Sequence, residues 1–110
     1  MGLVPENARL ALDREVAVVR SLPRAQLVDR YRRRSEERRR VTEGGKELEV
    51  KVIGELDYEE DPESFVYVWL SVCPAWLAPM PVLRWFMTAR ATLVIDEDGH
   101  DWSLGDPSEE

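Results

Sequence analysis

The sequence predicts an α+β fold in which two N-terminal helices pack on a three- to four-stranded antiparallel meander, giving two layers. Helical spacing of apolar residues is confined to the first part of the chain, and the two-residue alternation typical of strands follows it. Turn-forming clusters of acidic residues, proline and glycine separate the alternating segments. The 110 residues have the length of one domain, which we place at residues 1–104, followed by a polar tail at 105–110.

Two helices are predicted before the first strand. The first runs from Pro5 to Arg20, because its apolar residues recur at helical spacing. These residues are Leu12, Val16 and Val19. The second is predicted from Arg24 to about Glu43 and ends at Gly44-Gly45, since glycine readily adopts the left-handed conformation that ends helices. Its last three turns contain almost no apolar residue, so little of it can be buried.

The strands are predicted from alternation. Residues 47–58 place their apolar side chains on one face, and Gly54 within them indicates a bulge or a bend. The face consists of Leu48, Val50, Val52, Leu56 and Tyr58. Phe65–Cys73 is apolar on both faces apart from Ser71, which predicts a central strand that is either buried on both sides or covered on one side by a partner.

The C-terminal part is predicted to complete the meander. Ala75–Pro81 is an apolar loop with one helical turn at Trp76-Leu77, and alternation resumes from Leu83 to Ile95. Trp69 and Trp85 occupy alternating strand positions and are expected to fill the core. The acidic hairpin turn Asp96–Gly99 would lead to a short fourth strand at His100–Leu104. In architecture alone, the arrangement resembles the cystatin-like fold and the nuclear transport factor 2-like fold.

Charge is divided unequally along the chain. The net charge is −7, but residues 1–46 carry +5 and residues 47–110 carry −12. Seven arginines lie within residues 30–40, on the predicted second helix. Such opposite charges attract each other, either within one chain or between two copies of it.

The leading functional hypothesis is a small non-enzymatic protein that forms a homodimer and binds another protein. The predicted contact residues include cations of the arginine-rich helix face, which would guide association by charge. These are Arg30, Arg33, Arg34 and Arg38. The predicted apolar anchor is Trp76 with Leu77 and Met80, in a loop whose residue types are enriched at protein interfaces.

Two other classes of function remain open. A small-ligand or enzymatic pocket could lie between the helices and the concave face of the sheet, lined by Tyr58, Trp85 and the proline-rich loop. The arginine-rich helix could also bind the phosphates of a nucleic acid. The acidic charge of the whole chain disfavours nucleic acid, because phosphates would be repelled by the C-terminal part.

Catalytic residues, a metal site and a cofactor are not predicted. The acidic stretch that starts at Asp96 lacks the glycine and glutamate positions of an EF-hand. The sequence contains one cysteine, Cys73, and one histidine, His100, and nothing in it places the two together. The first twelve residues lack a signal-peptide pattern, so a cytoplasmic location is expected. The uncharged stretch Ser64–Leu83 contains three prolines, which argue against a membrane-spanning helix.

Overall fold

In the computed structural model, an N-terminal helical layer packs on a four-stranded antiparallel sheet, which confirms the predicted α+β class. The structure describes residues 4–57, 65–77 and 79–96. Its elements are α1 (Glu6–Ser21), α2 (Arg24–Arg30), β1 (Ser35–Glu43), β2 (Lys46–Leu56), β3 (Val66–Pro74), a 3-10 turn (Ala75–Leu77), α3 (Pro81–Phe86) and β4 (Ala89–Ile95). The strands lie in the order β1-β2-β3-β4, each antiparallel to its neighbour. Tyr58, the turn residues 97–99, the predicted strand 100–104 and the tail 105–110 lie outside the described residues.

Helix α1 confirms the first predicted helix to within one residue at each end. Its apolar stripe is buried against the sheet, on the face that we call the inner face. The stripe consists of Ala8, Ala11, Leu12, Val16 and Val19. Helix α2 adds Leu27 and Val28 to the same core. The spacing that predicted the helix therefore also identified the side that packs.

The predicted second helix is wrong beyond Arg30. Residues 35–43 form β1, an edge strand that pairs with β2 from Ser35 opposite Gly54 to Glu43 opposite Lys46. Gly44 and Gly45 have φ values of +59° and +77°, and positive φ at both central residues is what the type I′ two-residue hairpin turn requires. The same Gly-Gly pair can end a helix or connect two strands. Here the pairing with β2 selects the hairpin.

Strand β2 confirms the predicted alternation. Its residues Leu48, Val50, Val52, Gly54 and Leu56 are buried on the inner face, and the residues that alternate with them lie on the outer face of the sheet. The bulge or bend expected at Gly54 is absent, because pairing continues through this residue to Ser35 on one side and Val68 on the other. A Cβ atom at Gly54 would overlap the ring of Tyr31. Glycine is therefore needed here to make room for a buried aromatic ring.

Strand β3 lies in the interior of the sheet, as predicted, and its two faces are covered unequally. The inner side chains Val66, Val68, Leu70 and Val72 are buried, and the outer side chains of Tyr67, Trp69 and Ser71 remain partly exposed. Helices α1 and α2 both pack on the inner face. Along the part of β3 that the structure describes, the outer face therefore stays partly accessible, except at Cys73, which is buried.

The predicted strand from Leu83 to Ile95 begins later in the structure. Residues 81–86 form α3, with Pro81 in its first turn, and β4 starts at Ala89. Proline suits this place because its fixed φ is helical and its missing N–H is not needed there. Within β4 the predicted alternation holds, since Ala89, Leu93 and Ile95 are buried.

One ion pair joins the helical layer to the edge strand. Arg39 of β1 points to the inner face and donates both of its terminal nitrogens to the carboxylate of Glu15 on α1. Glu15 is a buried charged residue among the apolar side chains of the core. Arg39 also donates its Nε to Glu37 Oε1 at 3.0 Å. The bidentate geometry fixes where β1 lies against α1.

We expect the substitution Gly54→Ala to lower the free energy of unfolding by about 1–3 kcal/mol, because the added methyl group must displace the Tyr31 ring. Urea denaturation of the two proteins measures the difference. The substitution Tyr31→Leu should reduce the effect of Gly54→Ala when both are present. A loss that is equally large with and without Tyr31→Leu would contradict the proposed overlap.

Replacing Arg39 by Met should cost about 2–3 kcal/mol, because Glu15 would be left buried without its cation. The cost stays below that of a fully buried pair, since the Arg39 side chain is 43% exposed. The matched control is Arg40→Met, whose partner Glu47 is exposed; it should cost less than about 1 kcal/mol. Denaturant unfolding that shows equal losses for the two variants would contradict this ranking.

Candidate interaction surface

An apolar patch lies on the surface formed by the 3-10 turn and α3. None of the six residues of α3 is buried, and Val82 is 68% exposed. Trp76 and Trp85 are each 62% exposed. The members of this apolar patch are Trp76, Met80, Val82, Leu83, Trp85 and Phe86. Large apolar side chains concentrated in this way mark binding surfaces more often than isolated ones do.

The backbone of this segment is well ordered by hydrogen bonds although its side chains point outward. Met80 N–H donates to Leu77 O and Arg84 N–H donates to Met80 O, both at 2.9 Å. Ala75 and Leu77 are buried and attach the segment to the end of the sheet. Trp85 and Phe86 meet edge to face at a centroid distance of 5.0 Å. The patch is therefore a defined surface on a hydrogen-bonded scaffold.

The structure divides the predicted apolar anchor. Trp76 and Met80 are exposed and belong to the patch, but Leu77 is 0% exposed and is a core residue. Trp85, which alternation assigned to the core, is instead exposed because it lies in α3 rather than in a strand. Sequence reasoning missed Trp85 and its neighbours on α3. The signal that could have found them is Pro81, a residue that favours the first turn of a helix.

The predicted arginine contacts do not share one face. Arg30 ends α2, Arg33 and Arg34 lie between α2 and β1, and Arg38 points to the outer face of β1. Arg34 lies at the end of the sheet where Ser35 faces Gly54, whereas the apolar patch follows Pro74, which faces Leu48 at the opposite end. The structure therefore separates Arg34 from the apolar anchor, whereas Arg38 borders a cavity together with Trp85, and Arg40 borders another together with Trp76.

Much of the positive charge of the N-terminal part is neutralised within the chain. Arg14 meets Glu43 at 2.6 Å and Arg40 meets Glu47 at 3.0 Å. Looser pairs at 3.7–3.9 Å are Arg38 with Glu36 and Arg34 with Glu55. The charge division allowed attraction within one chain or between two copies of it. All four of these ion pairs form within one chain.

Along the described part of the interface between the helices and the sheet, buried apolar side chains pack into one core, and Tyr58 of the predicted pocket lies outside the described residues. A cavity of about 550 Å³ lies at one end of the sheet. It is bordered by the start of α1 at Pro5 and Asn7 and by Trp76 and Met87. The Oδ1 atom of Asn7 is buried there without a hydrogen-bond partner.

Cys73 has the properties of an unreactive thiol. The residue is buried, and burial together with the charge of Glu49 raises the pKa of its thiol above the ordinary value. A raised pKa keeps the thiol protonated at neutral pH, whereas the thiolate is the nucleophile. His100 lies outside the described residues. Within the described part of the chain, no group of His, Cys, Asp and Glu is placed to hold a metal ion.

Comparison with known proteins finds no match for this chain among family models, curated proteins or solved structures. Over the residues that the structure describes, no helix has the length and apolar content needed to cross a membrane.

The raised pKa values predict a loss of stability in alkaline solution. The folded state holds the Cys73 thiol and the Tyr31 phenol protonated to higher pH than the unfolded state does, mainly because both are buried. The stabilisation is complete below the unfolded pKa, about 8.5 for cysteine and about 10 for tyrosine, and declines as pH rises beyond it.

The free energy of unfolding should therefore fall as pH rises above about 8.5, as measured by urea denaturation at a series of pH values. The variant Cys73→Ala lacks the thiol and should show a smaller fall between pH values of about 8 and 10. Identical pH dependence in the two proteins would contradict the proposed shift of the Cys73 pKa.

Proposed function

We propose that this protein is a non-enzymatic interaction module that self-associates through the apolar patch. The observation that carries the proposal is that α3 buries none of its side chains in its own chain. Aromatic residues and methionine are enriched in the buried centres of protein interfaces, and the patch contains Trp76, Met80, Trp85 and Phe86. Removing such side chains from water favours association by about 25 cal/mol per Å² of apolar area.

A second copy of the chain is the occupant that the charges favour. The chain carries −7, so two copies repel each other over most orientations. Beside the patch, however, lie the cations Arg84 and Arg90, so the field of the chain is less negative at this surface and the repulsion between two copies is weaker there. A twofold arrangement would use the same patch on both copies and would close without exposing it again.

This proposal keeps the predicted self-association but moves its surface. The arginines of residues 30–40 were expected to guide the contact, yet Arg34, Arg38 and Arg40 have acidic partners in their own chain. β1 is moreover a charged edge strand, a type of edge that opposes pairing with other strands. Contact through α3 avoids both difficulties.

The substitution Val82→Ser should weaken the dimer by about 10- to 100-fold in Kd, because a side chain that is 68% exposed in the free chain would no longer bury apolar area. Sedimentation velocity over a concentration series measures the change. The matched control is Val18→Ser on α1, where an apolar side chain is also half exposed but lies outside the patch.

Val18→Ser should leave the association constant unchanged. A wild-type protein that stays monomeric at high micromolar concentration would overturn the proposal. An equal weakening by the substitutions at Val82 and Val18 would also overturn the assignment of the contact to α3.

A further inference from the structure

A row of cations crosses the outer face of the sheet, away from the core. The strand register places Arg38 of β1 opposite Lys51 of β2, Lys51 opposite Ser71 of β3, and Ser71 opposite Arg90 of β4. All four residues lie on the outer face, because their neighbours in each strand are the inner-face residues. We call them the cation row. In a chain of net charge −7, three of the four positions hold a cation.

The row borders a cavity of about 230 Å³ that is closed on one side by α3. Arg84 of α3 adds a fourth cation to its lining, and Glu49 is the carboxylate in that lining. Like charges directly opposite each other across strands destabilise a sheet, and Arg38 and Lys51 stand in that relation. Glu36 lies 3.5 Å from Lys51 and 3.7 Å from Arg38, so one carboxylate serves two cations. The lining keeps an excess of positive charge.

Two polar groups of the row, the Arg90 guanidinium and the Ser71 hydroxyl, can donate hydrogen bonds to a ligand in the cavity. Arg90 Nη2 donates to the carbonyl oxygen of Trp85 at 3.0 Å, and its guanidinium carbon lies 5.3 Å from the centroid of the Trp85 ring. These contacts fix the guanidinium at the cavity before anything binds, which lowers the entropy lost on binding. The Ser71 hydroxyl has no hydrogen-bond partner among the described residues, so it can donate to an anion.

A second cavity of about 200 Å³ adjoins the first and shares Lys51, Ser71 and Arg90 with it. Its remaining lining is mainly apolar and includes Ile53 and Trp69. The Trp69 ring is stacked on Tyr67 at a centroid distance of 5.8 Å, which extends the aromatic surface along β3. The cation row thus has a charged cavity on one side and an apolar, aromatic cavity on the other.

We propose that this pair of cavities binds a small phosphate monoester. The phosphate group lies among Arg38, Lys51, Arg84 and Arg90, and a planar organic group lies against Trp69. Arginine guanidinium groups match the geometry of phosphate oxygens, and lysine adds a point charge. The first cavity is smaller than the roughly 300–1,000 Å³ typical of pockets for larger ligands, which fits a single phosphate group.

A compact ligand is favoured over a polymer by the charge of the rest of the chain. A phosphate confined to the row meets mainly cations, whereas a long polyanion would also pass over acidic surface. The inference rests on the cation row and not on self-association, although Trp85 borders both the row and the apolar patch.

The experiment titrates the protein at low salt with inorganic phosphate, adenosine and adenosine 5′-monophosphate, followed by tryptophan fluorescence and calorimetry. The monophosphate should bind more tightly than phosphate or adenosine, because only it fills both cavities. Lys51→Gln and Arg90→Gln should each weaken its binding about tenfold or more, as expected for lost hydrogen bonds to a charged group. Circular dichroism checks that both variants are folded.

Two control variants test whether binding depends on the cation row itself. Arg34→Gln removes the same charge at the far end of the sheet and should leave binding unchanged. Val82→Ser alters the apolar patch and should also leave binding unchanged. The self-association proposal and the phosphate-binding proposal can therefore be disproved independently of each other.

Three results would overturn the proposal. They are no saturable binding of either phosphate compound at about 10 mM, equal weakening by Arg34→Gln, and tighter binding of a single-stranded oligonucleotide than of the monophosphate.

Discussion

The packing of α1 on the inner face of the sheet is the interaction on which the rest of the structure depends. The apolar stripe of a 16-residue helix packs chiefly on the inner sides of β3 and β4. Among the described residues α1 is the one long helix, and α2 packs on the same side of the sheet. The opposite face is consequently left partly exposed. Both surfaces for which we propose a role follow from this, because neither lies under α1 or α2.

The hairpin at Gly44-Gly45 determines where the arginines of β1 lie in the structure. In a helix Arg38, Arg39 and Arg40 would be distributed around a cylinder, whereas in β1 they alternate between the two faces of the sheet. Arg39 points inward and meets Glu15, while Arg38 points outward and joins the cation row. One strand therefore stabilises the contact between the layers and supplies charge to the open face.

The contact between Arg90 and Trp85 connects the two proposed surfaces. Trp85 belongs to the apolar patch, and Arg90 belongs to the cation row. The two proposed surfaces therefore meet at this one contact, while the residues that would bury apolar area and the residues that would bind phosphate are different.

Alternation and helical spacing were sufficient to predict the fold class, helix α1, the buried face of β2, the interior position of β3 and the inner face of β4. These features depend on which side chains avoid water, and that information is local in the sequence. The tertiary structure decided the state of residues 35–43, because Gly-Gly can end a helix or turn a hairpin and only pairing with β2 distinguishes them.

The tertiary structure also decided the use of Gly54, which makes room for the Tyr31 ring, and the exposure of Trp85 on α3. The cation row could not be predicted for the same reason. Arg38, Lys51 and Arg90 are far apart in the sequence, and the register of four strands is what places them side by side. The sequence thus determined which residues must be buried, and long-range pairing determined which of the others meet.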